Sequence, residues 1–193
     1  MKKTIILLVM TLMAGCATGS RTPVQIYDFG PADSAMTGAR PDVFVSEVRA
    51  AEWLNTTDML YRLEYRDPRL LSPYGSSRWA GIPAAMLTAR LRMYVGNGQS
   101  ARDRQTKCTL SLFLSEFSQI FKSERDSVTV THLRATLNES GSGKRALVRE
   151  IKIERPAPSA DAAGAAAAFA ESVKLAATEL NAWVGQSGSC VGH

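Results

Sequence analysis

Between Met59 and Asp67 the side chains alternate, with Leu60, Arg62 and Glu64 set against Tyr61, Leu63 and Tyr65. Successive residues of a strand point to opposite faces, so this spacing predicts a strand, which Pro68 stops. Two earlier segments read the same way: 24–30 (VQIYDFG), ended by Gly30-Pro31, and 41–50 (PDVFVSEVRA). The stretch 72–82 (SPYGSSRWAGI) is rich in turn formers and predicts a loop around Arg78-Trp79. Pro83 opens a helix, where its missing N–H costs little, and Leu87, Leu91, Tyr94 and Val95 recur at helical spacing. Gly96-Asn97-Gly98 ends it.

Three long strands are predicted next. Cys108, Leu110, Leu112 and Leu114 fall on one face while Phe117 and Phe121 are out of phase, which predicts a bulge near Ser115. Segment 126–139 (DSVTVTHLRATLNE) gives a second strand, with a phase change between Val130 and Leu133. After the Gly/Ser turn at 140–144, segment 145–154 (RALVREIKIE) returns as the third strand of an antiparallel meander. Pro156 and Pro158 break the chain before a helix over about 160–185, with Ser159 as N-cap and Asp161 in the first turn. Phe169, Val173, Ala176, Leu180 and Val184 form its buried stripe, and its alanine run is strongly helix-forming. The predicted order is βββα-βββα. The fold class is α+β, a mostly antiparallel sheet with two helices packed on one face.

The first residues, MKKTIILLVMTLMAG, add an address. Lys2 and Lys3 precede an apolar run, Ile5 to Met13, that is too short for a mature membrane span but suits a secretory signal. Met13-Ala14-Gly15-Cys16 resembles the lipobox of bacterial lipoproteins. The resemblance implies a signal peptide over 1–15, cleavage before Cys16 and lipidation of that cysteine. Residues 16–23 are then a lipidated tether and 24–193 a single periplasmic domain. Each buried acyl methylene contributes ~0.8 kcal/mol, so several chains hold the protein durably on a membrane. Ala17 stands where an aspartate is the usual inner-membrane retention signal, which points to the outer membrane, facing the periplasm.

The formal net charge of +5 falls by two once Lys2 and Lys3 leave. The remaining basic residues are scattered, so no nucleic-acid footprint is visible. The apolar fraction of 45% is ordinary for a soluble domain and does not imply a lipid cavity. Beyond Cys16 the cysteines are Cys108 and Cys190. An even pair in an oxidising compartment suggests a disulfide, closing a loop of about 80 residues worth ~4–5 kcal/mol on the chain-entropy model. The alternative is a buried Cys108 and a free Cys190.

Little in the chain suggests chemistry. The histidines are His132 and the last residue, His193, too few with two distant cysteines for a zinc site. There is no nucleophile elbow, Walker A loop or dinucleotide fingerprint. Glu47 and Glu64 would face each other on paired strands, though cross-strand pairs with Arg49 and Arg62 are the plainer account. The expectation is a protein with no metal, no cofactor and no catalytic residues.

Trp79 remains, set among serines and glycines. Fully buried, it would contribute up to ~4–6 kcal/mol as a plug where sheet meets helix. Presented outward, Tyr74, Arg78 and Trp79 would make a partner interface, since these residue types dominate binding hot spots. Both readings stay open. The order Tyr61-Arg62, Tyr74, Ser77-Arg78-Trp79, then Pro83 with Met86-Leu87 and Arg90-Leu91, resembles the ABC-type transport auxiliary lipoprotein family. The resemblance covers most of the chain beyond the tether, and its central motif is the most specific part.

It implies a non-catalytic outer-membrane component of an MCE/ABC-type envelope transport system moving lipids or other hydrophobic compounds between membranes. Its partners would be an MCE-domain periplasmic protein and an ABC permease/ATPase complex, and it would be a homo-oligomer matched to a symmetric tube. The competing class is a structural or assembly lipoprotein, an adaptor or pilot of another outer-membrane complex, which fold alone does not separate.

Overall fold

The computed structural model describes residues 23–32, 41–96, 108–139, 141, 145–187 and 190. In chain order the elements are β1 (Gln25–Tyr27), β2 (Val43–Val45), β3 (Arg49–Ala50), β4 (Asp58–Leu63) and β5 (Leu71–Trp79). Helix α1 (Pro83–Tyr94) follows, then β6 (Cys108–Phe121), β7 (Ser127–Glu139), β8 (Leu147–Pro156) and helix α2 (Ala162–Gln186).

These strands form one eight-stranded mixed sheet, and its axis is β6. One edge of β6 pairs antiparallel with β7, which pairs antiparallel with β8. The other edge takes β2, β3 and β4 end to end, all parallel to it. Beyond β4 lie β5, antiparallel to β4, and β1, parallel to β5.

The expected mostly antiparallel sheet in βββα-βββα order is therefore corrected to a mixed sheet. Five strands precede α1, not three, and four of the strand pairings are parallel. The physical reason is the hairpin between β6 and β7, which occupies one edge of β6 and leaves the earlier strands only the other. Parallel neighbours need a long crossover, and β5 with α1 provides it between β4 and β6. Periodicity reports which side chains face the core, not which way a neighbour runs.

The loop expected at 72–82 is in large part β5. Ser72, Pro73, Gly75, Ser76 and Ser77 are poor strand formers, so composition hid it. Pro73 is tolerated because β1 reaches only Ser77–Trp79, leaving the rest of β5 with an open edge. The segment 41–50 divides into two short strands, since Ser46–Val48 lie outside regular strand structure.

In β6 the register shifts between Leu114 and Glu116, so the inward set moves from Leu110, Leu112 and Leu114 to Phe117, Gln119 and Phe121. β7 shows no such shift against β8. Its inward positions simply start polar, with Ser127, Thr129 and Thr131, and turn apolar at Leu133, Ala135 and Leu137. The phase change expected between Val130 and Leu133 is therefore absent from the β7–β8 ladder: Val128 and Val130 share the opposite face with His132.

Both helices contribute to the same core as the sheet, with Leu87 and Leu91 of α1 and Phe169 and Leu180 of α2 fully shielded. Asn181 of α2 donates through Nδ2 to the carbonyl of Tyr94, the last residue of α1, at 2.9 Å. The N-cap of α2 is Asp161 rather than Ser159: its carboxylate accepts from Gly164 N–H at 2.8 Å, and Ser159 Oγ donates to it at 2.7 Å. Gly164 is required by close approach, since a Cβ there would lie 2.1 Å from the Ser159 carbonyl oxygen.

The Gly164 N–H, then the Ser159 hydroxyl, hold the Asp161 carboxyl below its usual range. Such a cap is worth ~1 kcal/mol, so Asp161→Ala should lower stability by about that amount at neutral pH. A carboxyl with a depressed folded pKa gives its full stabilisation above the unfolded value, near ~4, and loses it as pH falls through the folded value. Denaturant titrations of protein and variant should therefore converge in strong acid. A constant gap at every pH would refute the cap's charge as the cause.

Candidate functional site

Tyr74, Arg78 and Trp79 lie together on β5, where the strand departs from regular pairing. β4 and β5 are in register at Asp58↔Arg78 and again at Leu60↔Pro73. Tyr74, Gly75, Ser76 and Ser77 thus stand opposite the single residue Met59, and β5 bulges.

Arg78 closes that bulge from within. Its Nη1 donates to the Ser77 carbonyl at 2.8 Å and also to the Tyr74 carbonyl, while Nε lies 2.9 Å from Asp58 Oδ1. A bulged strand leaves carbonyls without ladder partners, and the rigid fork of a guanidinium supplies several donors from one side chain. Asp58 faces it across the strand pair and balances its charge.

Trp79 turns to the other side and is only 3% exposed. Its ring centroid lies 5.7 Å from Phe29, 5.6 Å from Phe117 and 5.6 Å from Phe169, while Phe117 and Phe169 stack at 3.9 Å. The indole therefore ties the segment after β1, the sheet axis β6 and the helix α2 into one cluster. Its backbone N–H donates to Thr57 at 2.7 Å.

Tyr74 reaches in the direction of β6 and β7. Its hydroxyl donates to Gln119 Oε1 at 2.6 Å, and Gln119 Nε2 donates to Ser127 Oγ at 2.8 Å. Burial pushes the Tyr74 phenol well above its ordinary pKa, with the Asp161 carboxylate and Tyr61 adding to the effect. The hydroxyl thus keeps its proton and remains a donor. Tyr61 packs on it with ring centroids 4.8 Å apart.

Cys108 and Cys190 form a disulfide, with S–S 2.02 Å and Cα atoms 5.8 Å apart. It fixes residue 190 against the start of β6, and Asp42 N–H donates to the Cys190 carbonyl at 2.9 Å. The signal segment 1–15 and the lipidation position Cys16 lie outside the described residues.

Glu47 and Glu64 are not brought together. Glu64 pairs with Lys122 at 2.5 Å, and Glu47 lines a groove beside α1 with Thr88 and Arg92. Arg62 pairs instead with Glu116 at 3.5 Å. His132 Nε2 lies 3.1 Å from Glu150, whose carboxyl is held low first by its hydrogen bond from Arg134. Among the described residues, no group of three or more His, Cys, Asp and Glu side chains is placed to hold a metal ion.

Sequence reasoning missed Asp58, Gln119, Ser127 and Phe29 as members of this site. Gln119 was within reach, since counting inward positions past the bulge at Ser115 gives Phe117, Gln119 and Phe121. Phe29, expected inside a strand over 24–30, lies just after β1, and nothing local marked it as a partner of Trp79.

A family model described as ABC-type transport auxiliary lipoprotein component matches residues 27–181. The chain belongs to that family. The match runs from the last residue of β1 into the final turns of α2, so it contains the whole β5 bulge and its partners. Among solved structures, protein XCC0632 from Xanthomonas campestris is similar at 24% identity with a TM-score of 0.65, over 87% of this chain and 96% of that one. An uncharacterized protein is similar at 13% identity with a TM-score of 0.67, over 84% and 99%. These two likenesses show a shared fold. Comparison with curated proteins returns no match. As a family member the protein is an auxiliary lipoprotein component of an ABC-type transport system, which places its work in the cell envelope. No helix among the described residues is long and apolar enough to cross a membrane.

Proposed function

We propose that this lipoprotein is a non-catalytic component of an MCE/ABC-type envelope transport system that moves lipids or other hydrophobic compounds between membranes. The family match over residues 27–181 carries the reading. In this reading Cys16 bears the anchor on the outer membrane and the domain faces the periplasm. An MCE-domain periplasmic protein docks on it, the ABC permease and ATPase are separate subunits, and several copies assemble.

The β5 site supports a binding role over a chemical one. Arg78 is engaged by two carbonyls and Asp58, Tyr74 by Gln119, and Trp79 by three aromatic rings. Together they brace a shaped surface. What that surface offers a partner is the exposed outer part of the hairpin, where Leu70 is 62% exposed and Pro73 and Gly75 are exposed as well.

In-cell photo-crosslinking from position 70 or 75 of the full-length chain should capture an MCE-domain protein, identified by mass spectrometry. Capture of an outer-membrane insertion factor or a secretion ring, with no MCE-domain protein, would overturn the reading in favour of an assembly adaptor or pilot.

A further inference from the structure

β8 ends the sheet, and its outer edge has no strand partner among the described residues. Ala157, in the same register, donates its N–H to the Ser127 carbonyl at 2.9 Å. Peptide groups alternate in direction along a strand, so odd-numbered positions of β8 bond to β7 and even-numbered ones face outward. Val148, Glu150, Lys152 and Glu154 therefore present free backbone donors and acceptors. Pro156, which has no N–H to offer, takes the next outward place. A long open edge of this kind is a template for another strand. Exposed apolar side chains lie along it: Leu147 at 49% and Val148 at 60%. Leu175 of α2, 40% exposed, sits ~120° around the helix from Asn181, the residue that reaches α1.

The charges say what fits. From Arg149 to Arg155 the strand reads Arg-Glu-Ile-Lys-Ile-Glu-Arg, a palindrome about Lys152. Two copies related by a two-fold axis pair antiparallel, and the residue on the axis sets the register. With Lys152 on the axis, every charge meets its own sign: Arg149 faces Arg155, Glu150 faces Glu154 and Lys152 faces itself. With Ile151 on the axis, Glu150 of each copy faces Lys152 of the other, and the two Ile151 side chains meet on the helix-bearing side. Val148 then pairs with Glu154, so every outward peptide from 148 to 154 has a partner. With Ile153 on the axis, Glu150 falls opposite Pro156, which cannot return a bond. Opposite charges directly across a strand pair stabilise it and like charges destabilise it, which separates these registers.

We propose that the outer edge of β8 docks a second copy of this chain, antiparallel, with the two-fold axis at Ile151. Lys152, which pairs with its own Glu154 at 2.6 Å, gains Glu150 of the second copy. Glu150 keeps His132 and Arg134 on its inner side. The sheet continues across the axis and the exposed flank of α2 near Leu175 approaches its counterpart.

The test uses the full-length chain in membranes, carrying Glu150→Cys and Lys152→Cys together. Both positions are exposed, so the fold is spared. Directly opposite, hydrogen-bonded positions have Cα atoms ~5.5 Å apart, within disulfide reach. Oxidation and non-reducing electrophoresis should give a covalent dimer, in several-fold higher yield than Glu150→Cys with Glu154→Cys, which is out of register. In addition, Glu150→Lys should weaken chemical crosslinking of the dimer, and Glu150→Lys with Lys152→Glu should restore it. Persistent monomer, equal yield from both cysteine pairs, or an adduct with a different protein in place of the dimer would each overturn the proposal. The pairing does not rest on the transport reading: capture from positions 70 and 75 succeeds or fails independently of the β8 dimer.

Discussion

Alanine in place of Trp79 is expected to destabilise the fold by ~3–5 kcal/mol, the usual cost of deleting a buried tryptophan. The indole is 3% exposed and touches three rings from separate parts of the chain, so no single neighbour can collapse into the space it leaves. Phe169 sits on the long helix and Phe117 on the central strand, both held by their own stacking, and Phe29 follows the short edge strand. For a chain of this size a loss of that order corresponds to a melting temperature lower by roughly 10 °C. Trp79→Phe keeps one ring and should cost less than half as much. Thermal or denaturant unfolding of the two variants decides the matter. If Trp79→Ala left stability within ~0.5 kcal/mol, the range of ordinary surface substitutions, the role of the indole as a core plug would be refuted.

The same geometry explains why partner contacts are better sought at Leu70 and Gly75 than at Trp79. A Trp79 variant that lost partner capture would do so by unfolding the β4–β5 hairpin that carries the exposed residues. Arg78 belongs to the same brace, since its donors hold the carbonyls of Tyr74 and Ser77.

Much of the β6–β8 part of the sheet, and the helix α2 that packs on it, was legible as pattern. The alternation from Cys108 to Leu114, the phase step at Ser115 and the stripe from Phe169 to Val184 each report burial, and burial is what hydrophobic spacing encodes. Pro83 marked the start of α1 for a local reason, its fixed φ and missing N–H. What stayed hidden was whatever depends on distant neighbours. The β6–β7 hairpin decides only which edge of β6 is open to β2, β3 and β4; their parallel direction follows from the crossover through β5 and α1, and no local spacing carries either. β5 stayed hidden because its bulge is filled by Arg78 and its edge is partly open, so Pro73 and Gly75 could occupy strand positions that propensity disfavours. At the site, the sequence drew attention to Tyr74, Arg78 and Trp79 by residue type. Their burial and their partners depend on Asp58, Gln119, Ser127 and Phe29, brought near only by the sheet.

Replacing Cys108 and Cys190 together by alanine is expected to lower global stability by ~2–5 kcal/mol, the usual loss when a native disulfide is removed. Two effects compete. The bridge spans 82 positions, and releasing so long a loop enlarges the unfolded ensemble, which on the chain-entropy model gives a value near the top of the range, ~4–5 kcal/mol. Against this, the end of α2 is held independently by Asn181 on Tyr94 and by buried Val184, so the native state keeps part of its order without the bridge. If local packing dominated, the loss would appear only as fraying beyond Val184, with the global midpoint unchanged. The location of Cys108 argues for the global effect. It opens β6, pairs with Val43 of β2, and lies in the corner where Asp42 bonds to Cys190. Gly96 closes the same corner with φ +72°, and a Cβ there would lie 2.4 Å from the Val43 carbonyl oxygen. Amide exchange of the double variant should therefore accelerate in β2 and β6 as well as at the end of α2, and the denaturation midpoint should drop. Acceleration confined to the end of α2, with an unshifted midpoint, would make the bridge a tether for the tail alone.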